Sequence, residues 1–372
     1  MFPEYSFPPT KVRISEQNTK RNPCFLLYSR AKIPSDKFYD QSQVHKSPVY
    51  TYFNYISRKN VQINLFGLFF FAKFAPNYYI TLIMIGQFIV NGLITGILYS
   101  LLAIGFALVY NTTRIFHIAA AGIYVFAAYM FWFFVAKAGL SVITAAVIAI
   151  MLTMLLSLLS EIVVYRPLKN KKASLNVAMI ASIGLMTVII NTIAMCFGNE
   201  TKVVENAILQ PLTFGDIIIT TPQKYQTLVG IAVLVVFMAV LKWTNWGLRL
   251  KALSADEVLF ETLGYNTNVT RVVVFLLSGV FIAIASCLTV YDVGLDPNMG
   301  MSVLISAIVA MIIGGVGKFS TCILGGLTLG VLQSLTVYQF ASNWQNAVTF
   351  LVLLILLFLR PQGIAGYKQR TV

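Results

Sequence analysis

From Met84 onward, the sequence consists of apolar stretches separated by short polar connections. A helix needs about 20 apolar residues to cross a hydrocarbon core about 30 Å thick. Two of the stretches, 115–136 and 303–313, are candidates for broken or re-entrant helices, so we expect eight or nine crossings. We therefore predict an all-α polytopic membrane protein. Its nine apolar stretches are 88–110, 115–136, 142–164, 175–197, 228–241, 272–290, 303–313, 323–338 and 347–359.

Composition supports this class and separates the chain into two parts. Hydrophobic residues make up 58% and charged residues 11%, against about 25% charged in soluble domains, which excludes a water-soluble enzyme. Of the net charge of +14, half lies in residues 1–83, which have eleven basic and four acidic residues. The first 60 residues have no regular apolar period. We predict that 1–83 is a basic, poorly ordered N-terminal extension; the alternative is a mis-assigned start upstream of Met84.

Charges in the short connections predict the orientation, because positive loops stay cytoplasmic. Connection 165–172 contains one Arg and three Lys and no acid, and the segment after Leu359 is also basic. The connections 198–224 and 291–300 contain the acids, so we expect them outside. The same count places residue 84 outside, and the basic extension would then also lie outside unless 61–83 makes an additional crossing. The positive-inside rule accounts for the loop charge, so we expect no nucleic acid partner.

Two apolar stretches share a glycine pattern. Residues 92–101 and 326–335 are identical at six of ten positions, including the pairs Gly92/Gly96 and Gly326/Gly330. Glycines four apart allow membrane helices to approach closely, so we assign these four to helix packing. The two stretches are predicted to run in opposite directions. They are therefore either converged packing motifs or an inverted internal repeat, as in transporters whose solute path lies between related halves.

The polar residues inside the stretches are neutral ones. No acid lies near the middle of a span, since Glu161 is close to a cytoplasmic end, and this argues against an ion-driven carrier. Neutral side chains in membrane helices form either interhelical hydrogen bonds or part of a solute path. His117, one of two histidines, is either structural or functional. Our candidates for the solute path are Asn91, Tyr99, Ser100, His117, Tyr124 and Gln333.

A cytoplasmic segment between the fifth and sixth stretches predicts a short helix. Ser254 and Glu257 form a capping box, and Gly264 ends the amphipathic pattern. Such a helix is either a surface brace or a docking site for a partner, and apolar Leu259, Phe260 and Leu263 favour docking. The predicted coupling residues are Asp256, Glu257, Phe260, Glu261, Leu263 and Gly264.

Catalytic and cofactor motifs are absent from the sequence. The run 314–320 is similar to part of a phosphate-binding loop. Such a loop requires Gly where Ile312 stands and Ser or Thr where Phe319 stands, so the motif is incomplete. No catalytic constellation is found. The four cysteines are far apart and form no CxxC pair, so we expect no metal and no cofactor. The chain is predicted not to be an enzyme.

Several short motifs, in this order, resemble the permease subunits of branched-chain amino acid ABC transporters, a class with relatives for urea and amides. The motifs are Asn91-Gly92-Leu93, Leu102-Ala103-Ile104-Gly105, Ile118-Ala119 through Tyr124, Tyr165-Arg166-Pro167-Leu168, Gly247-Leu248-Arg249 with Asp256 and Leu263-Gly264, Gly314-Gly315-Val316-Gly317 with Gly325-Gly326, and Arg360-Pro361-Gln362-Gly363-Ile364.

The resemblance implies a permease domain at 84–366, followed by a cytoplasmic tail at 367–372. It also implies a multi-pass protein of the inner membrane. The implied partners are a second permease subunit, identical or different, two cytoplasmic ATP-binding subunits and an external solute-binding protein. The alternatives are a urea or short-amide importer and a channel-like membrane protein without an ATPase.

Two departures from the family pattern affect the predicted sites. After the first span such permeases have Asn-Phe-Ala-His-Gly, whereas here His117 takes the Asn position and Ala120 and Ala121 replace His-Gly. In the cytoplasmic helix, Leu259 and Phe260 replace paired alanines. The docking surface is thus expected to suit a particular ATPase.

Overall fold

The computed structural model describes residues 65–204, 212–214, 217–315, 317–359 and 363. The chain divides into two compact units, Met1–Tyr79 and Ile80–Val372, and the contacts below all belong to the second. Residues 65–83 of the predicted extension are helical, whereas residues 1–64 lie outside the described residues. The tail 367–372 also lies outside them, and both domain boundaries stay predictions.

Twelve α-helices and one small hairpin are found in the described part of the chain. The helices are α1 (Leu65–Thr113), α2 (Ala120–Trp132), α3 (Val142–Ser160), α4 (Arg166–Asn170), α5 (Leu175–Phe197), α6 (Thr221–Trp243), α7 (Asn245–Ala255), α8 (Glu257–Thr262), α9 (Thr267–Val293), α10 (Met299–Gly314), α11 (Thr321–Gln339) and α12 (Gln345–Leu359). Strands β1 (Leu212–Phe214) and β2 (Ile217–Ile219) pair antiparallel. A π-helical turn extends α2 to Lys137, and another joins α3 to α4.

The membrane-spanning pattern is confirmed. Among the described residues, eight helical segments are long and apolar enough to cross a membrane, and the shorter α10 is the ninth apolar helix. Each predicted stretch coincides with one of them. The predicted 115–136 begins later, at Ala120, because residues 114–119 are not helical. The predicted 228–241 is extended by polar turns to Thr221–Trp243.

Burial differs sharply between helices. The part of α1 after Ile97 and most of α2 lie in the core, where Phe106, Tyr124 and Tyr129 are almost fully buried. Helices α3, α5 and α12 instead expose large apolar side chains such as Ile180 and Phe358. In water such a surface would be unfavourable, whereas lipid tails solvate it. These three helices therefore form much of the lipid-facing or subunit-facing periphery.

Contacts between connections define two ends of the helix bundle. At one, the basic end, Lys169 pairs with Glu257 at 2.7 Å, and Arg114 Nη2 donates to the Ser254 carbonyl at 3.1 Å. At the other, the hairpin end, the backbones of Lys202 and Leu295 exchange hydrogen bonds of 2.8 Å. The connections predicted as cytoplasmic thus lie at one end, and those predicted as external lie at the other.

The short helix at the basic end begins later than predicted. Ser254 is the penultimate residue of α7, and its hydroxyl donates to the Lys251 carbonyl. The cap is Asp256, whose Oδ1 accepts from the backbone N–H groups of Val258 and Leu259 at 2.8 and 3.0 Å. The predicted Ser254–Glu257 capping box is therefore wrong, because the extended backbone of Asp256 separates two helices where one was expected.

Candidate functional site

Helices α1 and α11 cross antiparallel at the four predicted packing glycines. A Cβ on Gly92 would lie 2.8 Å from Val331 Cα, and one on Gly96 would lie 2.9 Å from Leu327 Cα. Gly326 and Gly330 approach the α1 backbone still more closely. Real Cβ atoms do not tolerate such distances, so the crossing requires glycine. The repeat segments run in opposite directions, as predicted, and the structure shows that they are in direct contact.

A cavity of about 250 Å³ lies next to this crossing and extends to the first turns of α6. Three of the six predicted path residues line it, namely Asn91, Tyr99 and Gln333. Its described lining is mostly polar with a few apolar side chains. In small-molecule sites, polar groups fix the orientation of the ligand. The other lining residues are Phe88, Ile94, Thr95, Gln223, Gln226, Asp292, Ser334, Val337 and Gln345.

Gln333 joins four helices at the base of this cavity. Tyr99 Oη donates to Gln333 Oε1 at 2.7 Å. The Gln333 amide nitrogen donates to Ser306 Oγ at 3.3 Å and to Thr349 Oγ1 at 2.6 Å. These three hydrogen bonds link α11 to α1, α10 and α12. The residue fixes the shape of the wall.

Among the described lining residues, Asp292 alone has a carboxylate side chain. It stands in the last turn of α9, and its carboxyl group interacts with the side chains of Gln226 and Thr220. Gln226 is 2% exposed and is held by a 2.9 Å bond from its amide nitrogen to the Leu288 carbonyl. Asp292 was expected only as one of the acids of the external connection 291–300, and Gln223 and Gln226 were not among the predicted site residues. Their signal was a polar residue at the end of an apolar stretch.

Ser100 and Tyr124 lie outside the cavity. Ser100 is fully buried, and its hydroxyl donates to the carbonyls of Gly96 and Ile323, so it belongs to the glycine crossing. Tyr124 is 1% exposed and lines a separate void of about 10 Å³, which has room for no more than about one water molecule. Their assignment to the solute path therefore has no support from this arrangement.

His117 occupies a buried pocket in the connection between α1 and α2. Its Nδ1 is 2.8 Å from Tyr165 Oη, and Tyr165 in turn donates to Ser182 Oγ. Ser182 also accepts the Ala119 backbone N–H. Burial lowers the pKa of His117 to about 3, so the ring is neutral. Because the Tyr165 proton goes to Ser182, we assign the His117 proton to Nδ1. The group fixes the break between the helices, away from the cavity.

A buried ion pair that the sequence analysis missed connects α9 to the end of α3. Arg271 Nε and Nη2 donate to the two oxygens of Glu161 at 2.9 and 3.3 Å. Both side chains are almost inaccessible. Removing one partner of such a pair leaves a buried charge, at a cost of about 3–5 kcal/mol. Glu161 had been noted as close to a helix end, but its distant partner had no signal in the sequence.

Helix α8 together with the adjoining Asp256, Leu263, Gly264 and Tyr265, called the α8 segment below, presents an apolar surface at the basic end. Val258, Leu259 and Leu263 are 72%, 58% and 64% exposed. Phe260, predicted as part of this surface, is 1% exposed and stacks on Tyr265 inside the segment. The expected exposed apolar surface therefore includes Val258 in place of Phe260.

The remaining predicted coupling residues stabilise the α8 segment. Glu257 pairs with Lys169, and Glu261 accepts a 2.7 Å bond from Thr267. Asp256 caps the helix. Gly264 adopts φ +83°, a conformation that favours glycine, and its N–H donates to the Glu261 carbonyl. These contacts hold the exposed side chains on a defined helix.

Comparison with known proteins identifies the family. The sequence model described as "Branched-chain amino acid transport system / permease component" matches residues 88–357. The chain belongs to this permease family. The match covers the glycine crossing, the cavity and the α8 segment. The protein is thus a multi-pass membrane permease of the ABC-importer class.

Individual permeases are similar over most of the chain. The high-affinity branched-chain amino acid transport system permease protein BraD of Pseudomonas aeruginosa is 26% identical over 76% of this chain and 96% of its own length. The protein LivH of Salmonella typhimurium, described in the same words, is 25% identical over 75% and 94%. The solved structure of PsaBC from Streptococcus pneumoniae in complex with Fab has 18% identity and a TM-score of 0.45, covering 74% of this chain and 93% of that one.

Proposed function

We propose that this chain is the membrane-spanning subunit of an ATP-driven importer of branched-chain amino acids in the cell inner membrane. The observation that carries the proposal is the cavity beside the antiparallel crossing of α1 and α11, in a chain whose permease-family match spans these helices. Related segments that pack in opposite directions commonly surround a solute path. The polar and apolar lining suits a small solute with both kinds of group.

The coupling part of the proposal rests on α8. Lipid does not reach far beyond a helix end, so three exposed aliphatic side chains at the basic end need another cover. We assign that cover to a cytoplasmic ATP-binding subunit, into whose groove α8 inserts. Movement of α8 would then shift the bundle between inward-open and outward-open states. Glu257 and Lys169, which link α8 to the end of α4, would transmit the movement.

The complete importer in this proposal has several subunits. It contains a second permease, identical or different, and two ATP-binding subunits at the basic end. An external solute-binding protein delivers the solute at the hairpin end. The exposed apolar faces of α3, α5 and α12 supply both the lipid surface and the contact with the second permease.

The docking test replaces Leu263 by Asp. We expect Leu263→Asp to reduce capture of the ATP-binding subunits by the purified chain, and ATP-dependent leucine uptake, at least tenfold, because a charge would enter an apolar contact. The matched control is Asn268→Asp, which adds the same charge at an exposed position outside α8. Immunoblots establish equal amounts in the membrane. Normal uptake by Leu263→Asp would sink the docking assignment.

Solute identity is tested with labelled leucine, urea and a short amide. Cells with the chain should accumulate leucine, and the uptake should stop after ATP depletion. Accumulation of urea or the amide in place of leucine would transfer the proposal to those solutes. Uptake that continues after ATP depletion would indicate a channel-like protein.

A further inference from the structure

Among the described side chains, the carboxylate of Asp292 has no cationic partner in the cavity that it lines. Two ion pairs are found among the described side chains, Lys169–Glu257 and Glu161–Arg271, and Asp292 belongs to neither. The described residues that line the cavity include no Lys, Arg or His. The neighbours that interact with Asp292, Gln226 and Thr220, are neutral. A negative charge in a partly enclosed, partly apolar cavity attracts a cation more strongly than one in open water does.

The position of Asp292 is well defined. Its helix, α9, ends at Val293 and is followed by Gly294, and the adjacent Leu295 is fixed by the backbone pairing with Lys202. Gln226 is almost completely buried and anchored to the Leu288 carbonyl. The carboxylate is thus held by rigid elements on one side and is exposed on the other. Such an arrangement is typical of a binding group rather than of a freely moving surface acid.

The other lining groups complement different parts of a small solute. The amides of Asn91, Gln223 and Gln345 can donate to a carboxylate. Phe88, Ile94 and Val337 supply apolar surface from α1 and α11. The cavity volume of about 250 Å³ leaves room for a small solute. A small zwitterion with an aliphatic side chain fits this combination.

We propose that Asp292 binds the ammonium group of the solute and makes the cavity selective for primary ammonium compounds, the class of the α-amino acids. The ammonium group donates to the Asp292 carboxylate and to the oxygen of a lining amide. Urea and simple amides have no positive charge to offer, so they gain nothing from Asp292. This inference rests on the proposed function, because it assigns a subsite within the proposed solute path.

The first experiment compares two ligands that differ in a single group. Leucinamide and 4-methylpentanamide share the aliphatic chain and the amide, and only leucinamide has the ammonium group at neutral pH. Calorimetric titration of the full chain in lipid nanodiscs should give about tenfold tighter binding of leucinamide. In Asp292→Asn this preference should disappear, because the variant keeps the shape and loses the charge. Equal binding of the two ligands to the native chain, or a preference that survives in Asp292→Asn, would overturn the proposal.

The second experiment measures labelled leucine uptake by the complete importer in cells. Asp292→Asn should lower the initial rate about tenfold, whereas Asp292→Glu should retain more activity than Asp292→Asn because it keeps the charge. The matched control is Asp296→Asn, since Asp296 lies just after α9, four residues beyond Asp292, and outside the described cavity lining. If Asp292→Asn matches the native rate, the ammonium subsite is wrong and the proposed function stands. If the native chain takes up no leucine, the proposed function itself fails.

Discussion

His117 lies in a pocket that holds the imidazole in its neutral form. Burial lowers its pKa to about 3, well below the usual 6.5. Below pH 6.5 the unfolded chain therefore binds a proton that the folded chain does not, and stability falls as the pH falls. The contribution is fully present above pH 6.5 and is lost progressively toward pH 3.

We expect this residue to make the chain sensitive to mild acid. Between pH 7 and pH 5 the folded state should lose roughly 2 kcal/mol through His117 alone. In His117→Asn, which has no titrating ring, that part of the pH dependence should vanish. Thermal unfolding of the purified chain in detergent at the two pH values measures it. An unchanged pH dependence in His117→Asn would show that the ring is accessible to protons when folded.

Asp292 and Arg271 show which single residues the sequence could not assign. Both were visible as charges near the ends of apolar stretches. The partner of Arg271 is Glu161, 110 positions away, and Asp292 lines a cavity together with residues of four other helices. Interactions of this kind depend on how helices pack, which no local pattern encodes.

The glycine crossing illustrates the element scale. Four glycines allow α1 and α11 to approach at backbone distance, and each lies where a methyl group would meet main-chain atoms. Without a hydrophobic driving force in lipid, such close packing is a major source of helix association. The i, i+4 spacing was sufficient to predict that these glycines pack against a neighbouring helix, because a helix places them on one face. The structure shows that this neighbour of α1 is α11.

Gly330→Ala should therefore disrupt the close packing of α1 against α11. We expect a destabilisation of about 1–3 kcal/mol, with loss of leucine uptake, because the added Cβ would meet Gly96. The matched control is Gly184→Ala in α5, where nothing lies within 4 Å of the added Cβ. That variant should be neutral or more stable, since alanine is the better helix former. Thermal unfolding gives both values; equal effects of the two substitutions would contradict the role of the crossing.

The segment before α9 was only partly predictable at this scale. The existence of a short helix and its end at Gly264 followed from local signals, since that glycine has a positive φ. Its start did not, because Ser254 and Asp256 are both good capping residues and the backbone decides between them. The inward position of Phe260 also depends on how α8 packs against the rest of the basic end, which is a tertiary interaction.

At the scale of the whole molecule, the alternating direction of the helices agrees with the charge distribution. The basic end collects the 165–172 connection and the α7–α8 segment, while the hairpin end collects β2, Lys202 and Leu295. The positive-inside rule uses only local charge, yet contacts between distant connections give the same division. The two arguments are independent.

Labelling of single cysteines tests this topology. In a chain with its native cysteines replaced by serine, Glu200→Cys should react with a membrane-impermeant maleimide in intact cells. Lys171→Cys should react only after the membrane is permeabilised. Both native residues are exposed, so accessibility does not differ for other reasons. The opposite labelling pattern would invert the orientation, and labelling of both in intact cells would refute the assignment of the two ends.

The sequence by itself determined the class of the protein, the apolar helices of the described part of the chain, their alternating directions and the glycine packing faces of α1 and α11. These properties follow from local length, local charge and i, i+4 spacing, which physical chemistry translates directly into structure. Tertiary structure alone decided that Asn91, Tyr99 and Gln333 share a cavity with Asp292, that Ser100 and Tyr124 do not, and that Glu161 meets Arg271. Such groupings depend on the rotation and crossing of whole helices, because side chains far apart in sequence meet only after the bundle has packed.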